Sequence, residues 1–251
     1  MTNDKKIAYL SYLRDMGDSS IAIPLELRKV EQQVQPVLEH SKMEGEPVTK
    51  RIVHTISEEE LLAKQTALEE IATEIARCQN CPLHETRNKT VPGAGSPNAD
   101  IIFIGEAPGG QEDKYGIPFV GRAGKLLDKI FAAAGLTRDD VFIANILKCR
   151  PPGNRDPLPA EELECMPYLL KQIEIIQPSV ICCLGRVSSQ KLLQTTTAMG
   201  KLRQQKHFFR GIPLIVTYHP AALLRNPAYK RPTWEDIKFL MRIVEERKAQ
   251  G

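Results

Sequence analysis

Four short runs in the second half of the chain are apolar almost without interruption, and each leads into a stretch with helical periodicity. IIFIG (101–105), VFIANI (141–146), VICCLG (180–185) and PLIVTYHP (213–220) lack the alternation of a half-solvated strand. That pattern predicts strands covered on both faces. Between them KLLDKIFAAAG (125–135), closing at Gly135, and PAEELECMPYLLKQIEIIQ (159–177) read as helices. Further helices are predicted after the third strand through Leu193 and from Trp234 to Arg247. Strand–helix alternation of this kind predicts an α/β fold, a three-layer αβα sandwich around a central four-stranded parallel sheet. Upstream, Ser57 followed three residues later by Glu60 has the form of a capping box. Leu61, Leu68, Ile71 and Ile75 then recur at helical spacing and carry the chain to Cys78 and Cys81.

The first 55 residues look different and predict an appendage. Ile7–Arg14 and Pro24–Leu38 suit short helices, and the polar stretch between Glu39 and Val53 suits a linker. The division expected is therefore 1–55, an N-terminal helical and linker appendage, and 56–251, the main domain. Charge follows the same division. Residues 1–70 carry 9 Lys/Arg against 13 Asp/Glu, while residues 71–251 carry 25 against 18. A basic main domain suits a polyanion such as nucleic acid. No run approaches the roughly 20 apolar residues that span a bilayer. The N-terminus also lacks the apolar core of a secretion signal. A cytoplasmic monomer is the default expectation.

Six cysteines occur, at 78, 81, 149, 165, 182 and 183. Without an export signal a disulfide framework is not expected, which leaves metal binding or plain burial. Cys182 and Cys183 lie consecutively in an apolar strand and suit burial. Cys78 and Cys81 form a Cys-x2-Cys pair, and Cys149 and Cys165 lie in or after the loop that follows the second strand. Four thiolates suit tetrahedral zinc or a [4Fe–4S] cluster, and spacing does not separate the two.

In open parallel sheets ligands bind beyond the carboxyl ends of the strands. There the chain reads GEAPGGQEDKYGIPFVGRAG (105–124), NILKCRPPGNR (145–155) and HPAALLR (219–225). The first loop is neither a Walker A sequence nor a GxGxxG fingerprint. Taken in order with the cysteines, these motifs closely resemble the family 4 uracil-DNA glycosylases over about residues 70–248. The resemblance implies an enzyme of DNA base excision repair, a hydrolase that cleaves the N-glycosidic bond of deoxyuridine in DNA. It also implies that Cys78, Cys81, Cys149 and Cys165 hold a [4Fe–4S] cluster.

The chemistry of the motif residues agrees with that activity. Phe119 offers a flat apolar face for an extruded base. Asn145 carries one donor and one acceptor, which match O4 and N3–H of uracil and oppose those of cytosine. Gly105 ends the first strand beside them. His219 is expected to stabilise charge developing at uracil O2. Glu106 is expected to stabilise the sugar cation or to orient water, although some related glycosylases carry an aspartate at the next position, where this chain has Ala107. By analogy with the family, Glu112 fills space beside uracil C5, and Leu223 wedges into the duplex. Lys148, Arg150, Arg155 and Arg225 are candidate phosphate contacts.

Plainer readings stand beside these. Phe119 suits a loop anchor, Asn145 a partner of loop backbone, and Glu106 a loop-stabilising carboxylate. Glu112 and Leu223 suit ordinary loop residues, His219 a structural histidine, and the basic residues solvated charges. Two rival functions also stand. One is covalent trapping of uracil-DNA, which the absence of histidine between His84 and His207 disfavours. The other is a metal-bearing DNA-binding module without catalysis.

Overall fold

A computed structural model of the chain describes residues 56–250. The appendage expected over 1–55 lies outside the described residues. Ser57 caps α1 (Glu58–Ala76) by accepting the Glu60 N–H at 3.1 Å. The Glu60 carboxylate faces Lys64 at 3.8 Å, so it is the serine that holds this helix start. Only the C-terminal part of α1 is dry, at Ile71 and Ile75, and it packs on the helix over Pro159–Ile176. A single-turn α2 (Leu83–Thr86) follows the Cys-x2-Cys pair.

The sheet is mixed and six-stranded. Its strands are β1 (Ala94–Gly95), β2 (Ile101–Gly105), β3 (Phe142–Asn145), β4 (Val180–Leu184), β5 (His207–Phe209) and β6 (Ile212–Thr217), in the spatial order β1-β3-β2-β4-β6-β5. The four strands expected from the apolar runs form its parallel centre. The expectation of a purely four-stranded parallel sheet is corrected by an antiparallel strand at each edge. β1 is two residues long and sits in a Gly/Pro-rich stretch with no strand pattern. β5 joins β6 through Arg210 (φ 48°) and Gly211 (φ 77°). Two successive positive φ values are those of a type I′ hairpin, which here lacks the usual Asn-Gly signature.

Alternation along the central strands feeds two helical layers. Ile101, Phe103, Ile143, Val180, Cys182 and Ile215 form one core with Leu127 and Phe131 of α4 (Arg122–Ala133) and Ile237, Leu240 and Val244 of α9 (Lys230–Gln250). Ile102, Ile104, Ala144, Ile181, Cys183 and Val216 alternate to the opposite face and are just as dry. On that side the hydroxyls of Ser188 and Ser189 in α6 (Arg186–Leu192) donate to Leu184 O at 3.1 Å and Gly185 O at 2.6 Å. The long α5 (Pro159–Ile176) begins with Pro159 at its first turn. Its Glu161 carboxylate accepts the Leu158 N–H at 2.8 Å. The shorter α3 (Gly110–Tyr115), α7 (Met199–Leu202) and α8 (Pro220–Arg225) lie in the connections. Among the described residues no helix is long and apolar enough to cross a membrane.

Candidate active site

Register places Gly105 of β2 opposite Asn145 of β3, so the carboxyl ends of these adjacent parallel strands lie side by side. A Cβ built on Gly105 would lie 2.3 Å from Asn145 Oδ1 and 2.8 Å from Phe119 Cζ. Only glycine therefore leaves the space between amide and ring. Phe119 itself has φ 53°, uncommon for a bulky residue. Two contacts hold it there. Arg138 donates from Nη1 to Pro118 O at 3.0 Å and from Nη2 to Phe119 O, and Gly124 provides a surface with no room for a Cβ. The Phe119 ring lies 5.4 Å from the His219 ring at a 34° tilt. Asn145 is buried, and its Oδ1 has no hydrogen-bond partner. A buried acceptor without a partner costs roughly 1–3 kcal/mol, so it is an observation in need of a ligand.

His219 caps α8 by accepting the Ala221 N–H on Nδ1 at 3.1 Å. A nitrogen that accepts carries no proton, so the neutral ring must present its hydrogen on Nε2. Burial pushes its pKa down to about 4, with the nearby Arg225 charge adding to the shift and Glu112 opposing it. At physiological pH the ring is therefore a neutral donor with a fixed tautomer. Glu106 follows Gly105, and its side chain makes no hydrogen bond among the described residues. Burial raises its pKa, Asp156 and Glu162 raise it further, and Arg186 lowers it. The Glu112 carboxylate accepts three backbone N–H groups, those of Val120 and Gly121 at 2.9 Å and of Gly109 at 3.1 Å. It staples the loop that carries Phe119.

Cys78, Cys81, Cys149 and Cys165 line one small pocket, together with Arg87, Lys148, Glu164 and Tyr168. Arg87 Nη1 donates to Cys149 Sγ at 3.3 Å, and the Lys148 N–H donates to Cys165 Sγ at 3.2 Å. Burial pushes the Cys165 thiol up to about 12 and raises Cys81 and Cys149 as well, and the cysteines raise one another. Among the described residues no three His, Cys, Asp or Glu side chains are grouped closely enough to hold a metal ion. Cys182 and Cys183 are buried in β4.

Comparison with known proteins gives this arrangement a context. The family model of the uracil DNA glycosylase superfamily matches residues 92–238. The type-4 uracil-DNA glycosylase of Archaeoglobus fulgidus is 46% identical over 180 residues, covering 68% of this chain and 90% of that protein. The type-4 enzyme of Thermotoga maritima is 40% identical over 182 residues, covering 71% of this chain and 95% of its own. The type-4 enzyme of Sulfurisphaera tokodaii is 46% identical over 187 residues, covering 71% and 85%. The chain belongs to the type-4 uracil-DNA glycosylases.

Within this glycosylase fold several residues stand elsewhere than their motifs suggest. Lys148 is only 1% exposed. Its Nζ donates to Asn145 O at 3.0 Å and to Gln172 Oε1 at 2.7 Å, and burial pulls its pKa down to about 8. It is therefore no phosphate contact but a prop beneath Asn145. Arg155 is committed to Glu161 through two bonds, at 2.5 and 2.9 Å, which ties the loop to α5 rather than leaving a free cation. Leu223, expected as a wedge, is 2% exposed, whereas Leu224 is 40% exposed. On a one-and-a-half-turn helix adjacent residues point about 100° apart, and α8 turns Leu223 inward against the core. Arg150 donates to Asn154 Oδ1 at 2.8 Å and keeps part of its guanidinium beside Gly110, and Arg225 is exposed. Two residues at the mouth, Asp156 and Arg186, belong to no motif read from the sequence. Arg138 belongs to no such motif either, since its task depends on a backbone conformation that no side-chain pattern announces.

Proposed function

We propose that the chain hydrolyses the N-glycosidic bond of deoxyuridine in DNA, releasing uracil and leaving an abasic site. The observation that carries this reading is the orphaned Asn145 Oδ1, buried beside the Phe119 ring and the Nε2–H tautomer of His219. A flipped uracil stacks on Phe119 and gives its N3–H to Oδ1, while the amide donates to O4. Cytosine has an acceptor at N3 and a donor at C4, so both contacts become like facing like. As the bond breaks, negative charge gathers on the ring, and His219 Nε2–H donates to O2. A neutral donor suits this task because it carries no charge to be neutralised when the base leaves. Removing a donor of this kind typically costs about 2.7–4 kcal/mol of transition-state stabilisation. On the sugar side, Glu106 orients the attacking water. Its raised pKa, from burial first and Asp156 second, makes it a stronger base than a solvated glutamate.

Exposed Leu224, rather than Leu223, is suited to fill the gap in the stack left by the flipped nucleotide. Arg150 and Arg225 remain as candidate phosphate contacts. Cys78, Cys81, Cys149 and Cys165 would hold a [4Fe–4S] cluster. Four thiols around one pocket and two N–H···S donors already aimed at sulfur support the fit. Such a cluster supplies rigidity rather than electrons, since hydrolysis needs no redox step. In this chain the rigidity reaches the base pocket through Lys148, which lies between the thiols and Asn145.

The test uses a labelled oligonucleotide with a single uracil, followed by alkali to cleave abasic sites, with a thymine oligonucleotide as control. Multiple-turnover cleavage at uracil alone is expected, slowed about 10²- to 10³-fold by His219→Ala. Folded, metal-replete protein that leaves uracil in place in every strand context would overturn the reading.

A further inference from the structure

Arg186 and Asp156 form an ion pair, Nη2 to Oδ2 at 2.5 Å, although their side chains are 55% and 68% exposed. They come from different connections. Asp156 lies in the loop after β3, and Arg186 directly follows β4 and Gly185. Their place is the mouth of the site. Register sets Ile104 beside Cys183 and Leu184 beside Thr217, so the chain leaves β4 between Glu106 on one side and His219 on the other. A Cβ on Gly185 would stand 2.9 Å from the His219 Cβ, and both charges of the pair act on Glu106. An exposed pair of this type adds about 0–1 kcal/mol to stability, so its contribution to the fold is small. The other cations expected to meet DNA here are largely engaged, with Lys148 buried and Arg155 locked to Glu161.

We propose that Arg186 is a backbone-phosphate contact for the flipped nucleotide, and that Asp156 is the carboxylate which occupies it until DNA arrives. A planar guanidinium binds carboxylate and phosphate with the same fork of N–H groups, so one anion replaces the other without a change of geometry. Exchange then releases Asp156 to solvent at a cost no larger than the exposed pair. While the pair is intact, Asp156 masks a cation at the mouth and so weakens binding to DNA of any sequence. The inference deepens the glycosylase reading and rests on it only for the identity of the polyanion.

The experiment is a double-mutant cycle on DNA binding, read by fluorescence anisotropy. The probe is an oligonucleotide carrying a tetrahydrofuran abasic analogue, titrated across a series of KCl concentrations. Arg186→Gln is expected to weaken binding about tenfold and to reduce the slope of log K against log salt by about 0.7–0.9. Asp156→Asn is expected to tighten binding about two- to fivefold when Arg186 is present, and to do nothing in the Arg186→Gln background. Asp156→Asn tightening binding equally in both backgrounds would reduce the effect to general charge and overturn the proposal. So would an unchanged affinity and slope in Arg186→Gln. Melting temperatures of the three variants should match the parent, because neither side chain is buried. Uracil release by the parent protein is measured in parallel. Its failure would count against the glycosylase reading, while the binding cycle would still decide the exchange.

Discussion

Replacing Gly105 with alanine puts the base-pocket geometry at greatest risk. The added methyl carbon would stand 2.3 Å from Asn145 Oδ1 and 2.8 and 3.0 Å from Phe119 Cζ and Cε2. Contacts under 3.0 Å are essentially never seen, so something must move by roughly 0.7 Å. Phe119 has little freedom to yield, because Arg138 holds its backbone and Gly124 closes on it from behind. The displacement therefore falls on the Asn145 amide. Turning it about 30° from its rotamer costs ~0.5–1.5 kcal/mol. Losing its aligned bond to a buried base edge costs ~1–3 kcal/mol more. Together these amount to about 1.5–4.5 kcal/mol, or roughly 10- to 2000-fold in the single-turnover rate at ~1.36 kcal/mol per tenfold. Overpacking itself should cost about 1–3 kcal/mol of stability, a fall in melting temperature of several degrees. The assay is single-turnover uracil release at a temperature where melting curves show Gly105→Ala fully folded. Release at the parental rate would refute the placement of the base between Phe119 and Asn145.

Three further outcomes follow from the same geometry. For His219 the folded pKa of about 4 lies below the ordinary 6.5, so between those values the unfolded chain binds more protons and stability falls as pH falls. The loss should approach about 3 kcal/mol by pH 4 and be absent above pH 7. It is checked as the difference in unfolding free energy between parent and His219→Ala by urea titration across pH, and a pH-independent difference would contradict it. Cys165→Ala should lose visible cluster absorbance and melt several degrees lower, measured by absorbance and calorimetry on anaerobically purified protein. Full absorbance with unchanged melting would sink the four-cysteine assignment. Leu224→Ala should slow uracil release from duplex DNA by about tenfold while leaving melting within ~1 °C. Leu223→Ala should instead lower stability by ~2–5 kcal/mol, and the opposite pattern would restore Leu223 as the wedge.

What could be read from the chain alone follows what local pattern encodes. The central strands announced themselves because burial on both faces demands continuous apolar runs, and IIFIG and VICCL are dry at every position. The edge strands did not, since two residues of β1 and a hairpin turned by Arg210–Gly211 offer too little pattern. The convergence of Gly105, Phe119, Asn145 and His219 followed from placing motifs at the carboxyl ends of parallel strands. Which leucine of the HPAALLR helix faces out was beyond that reasoning, because it depends on how α8 is rotated against the core. Lys148 misled for a related reason. A lysine amid arginines and prolines reads as surface charge, and only the three-dimensional course of α5 brings Gln172 within 2.7 Å of its ammonium. The Arg186–Asp156 pair joins residues 30 apart that share no motif, so nothing short of the fold relates them.

The left-handed backbone of Phe119 has a consequence for anyone reshaping the pocket. One torsion is enforced by Arg138 and Gly124, and the ring it aims joins Asn145 Oδ1 in crowding any side chain at 105. These residues behave as a single mechanical part whose tolerance is set by its stiffest member. Making room for a bulkier base by trimming one of them would loosen the platform before it freed any space. Asn145 is different: if it reads the base edge as proposed, changing which groups its side chain offers would alter the base accepted without touching Phe119, Gly124 or Arg138. Base identity is thus an editable character mounted on a frame that is not, and new specificities are best sought in donor–acceptor chemistry rather than in room.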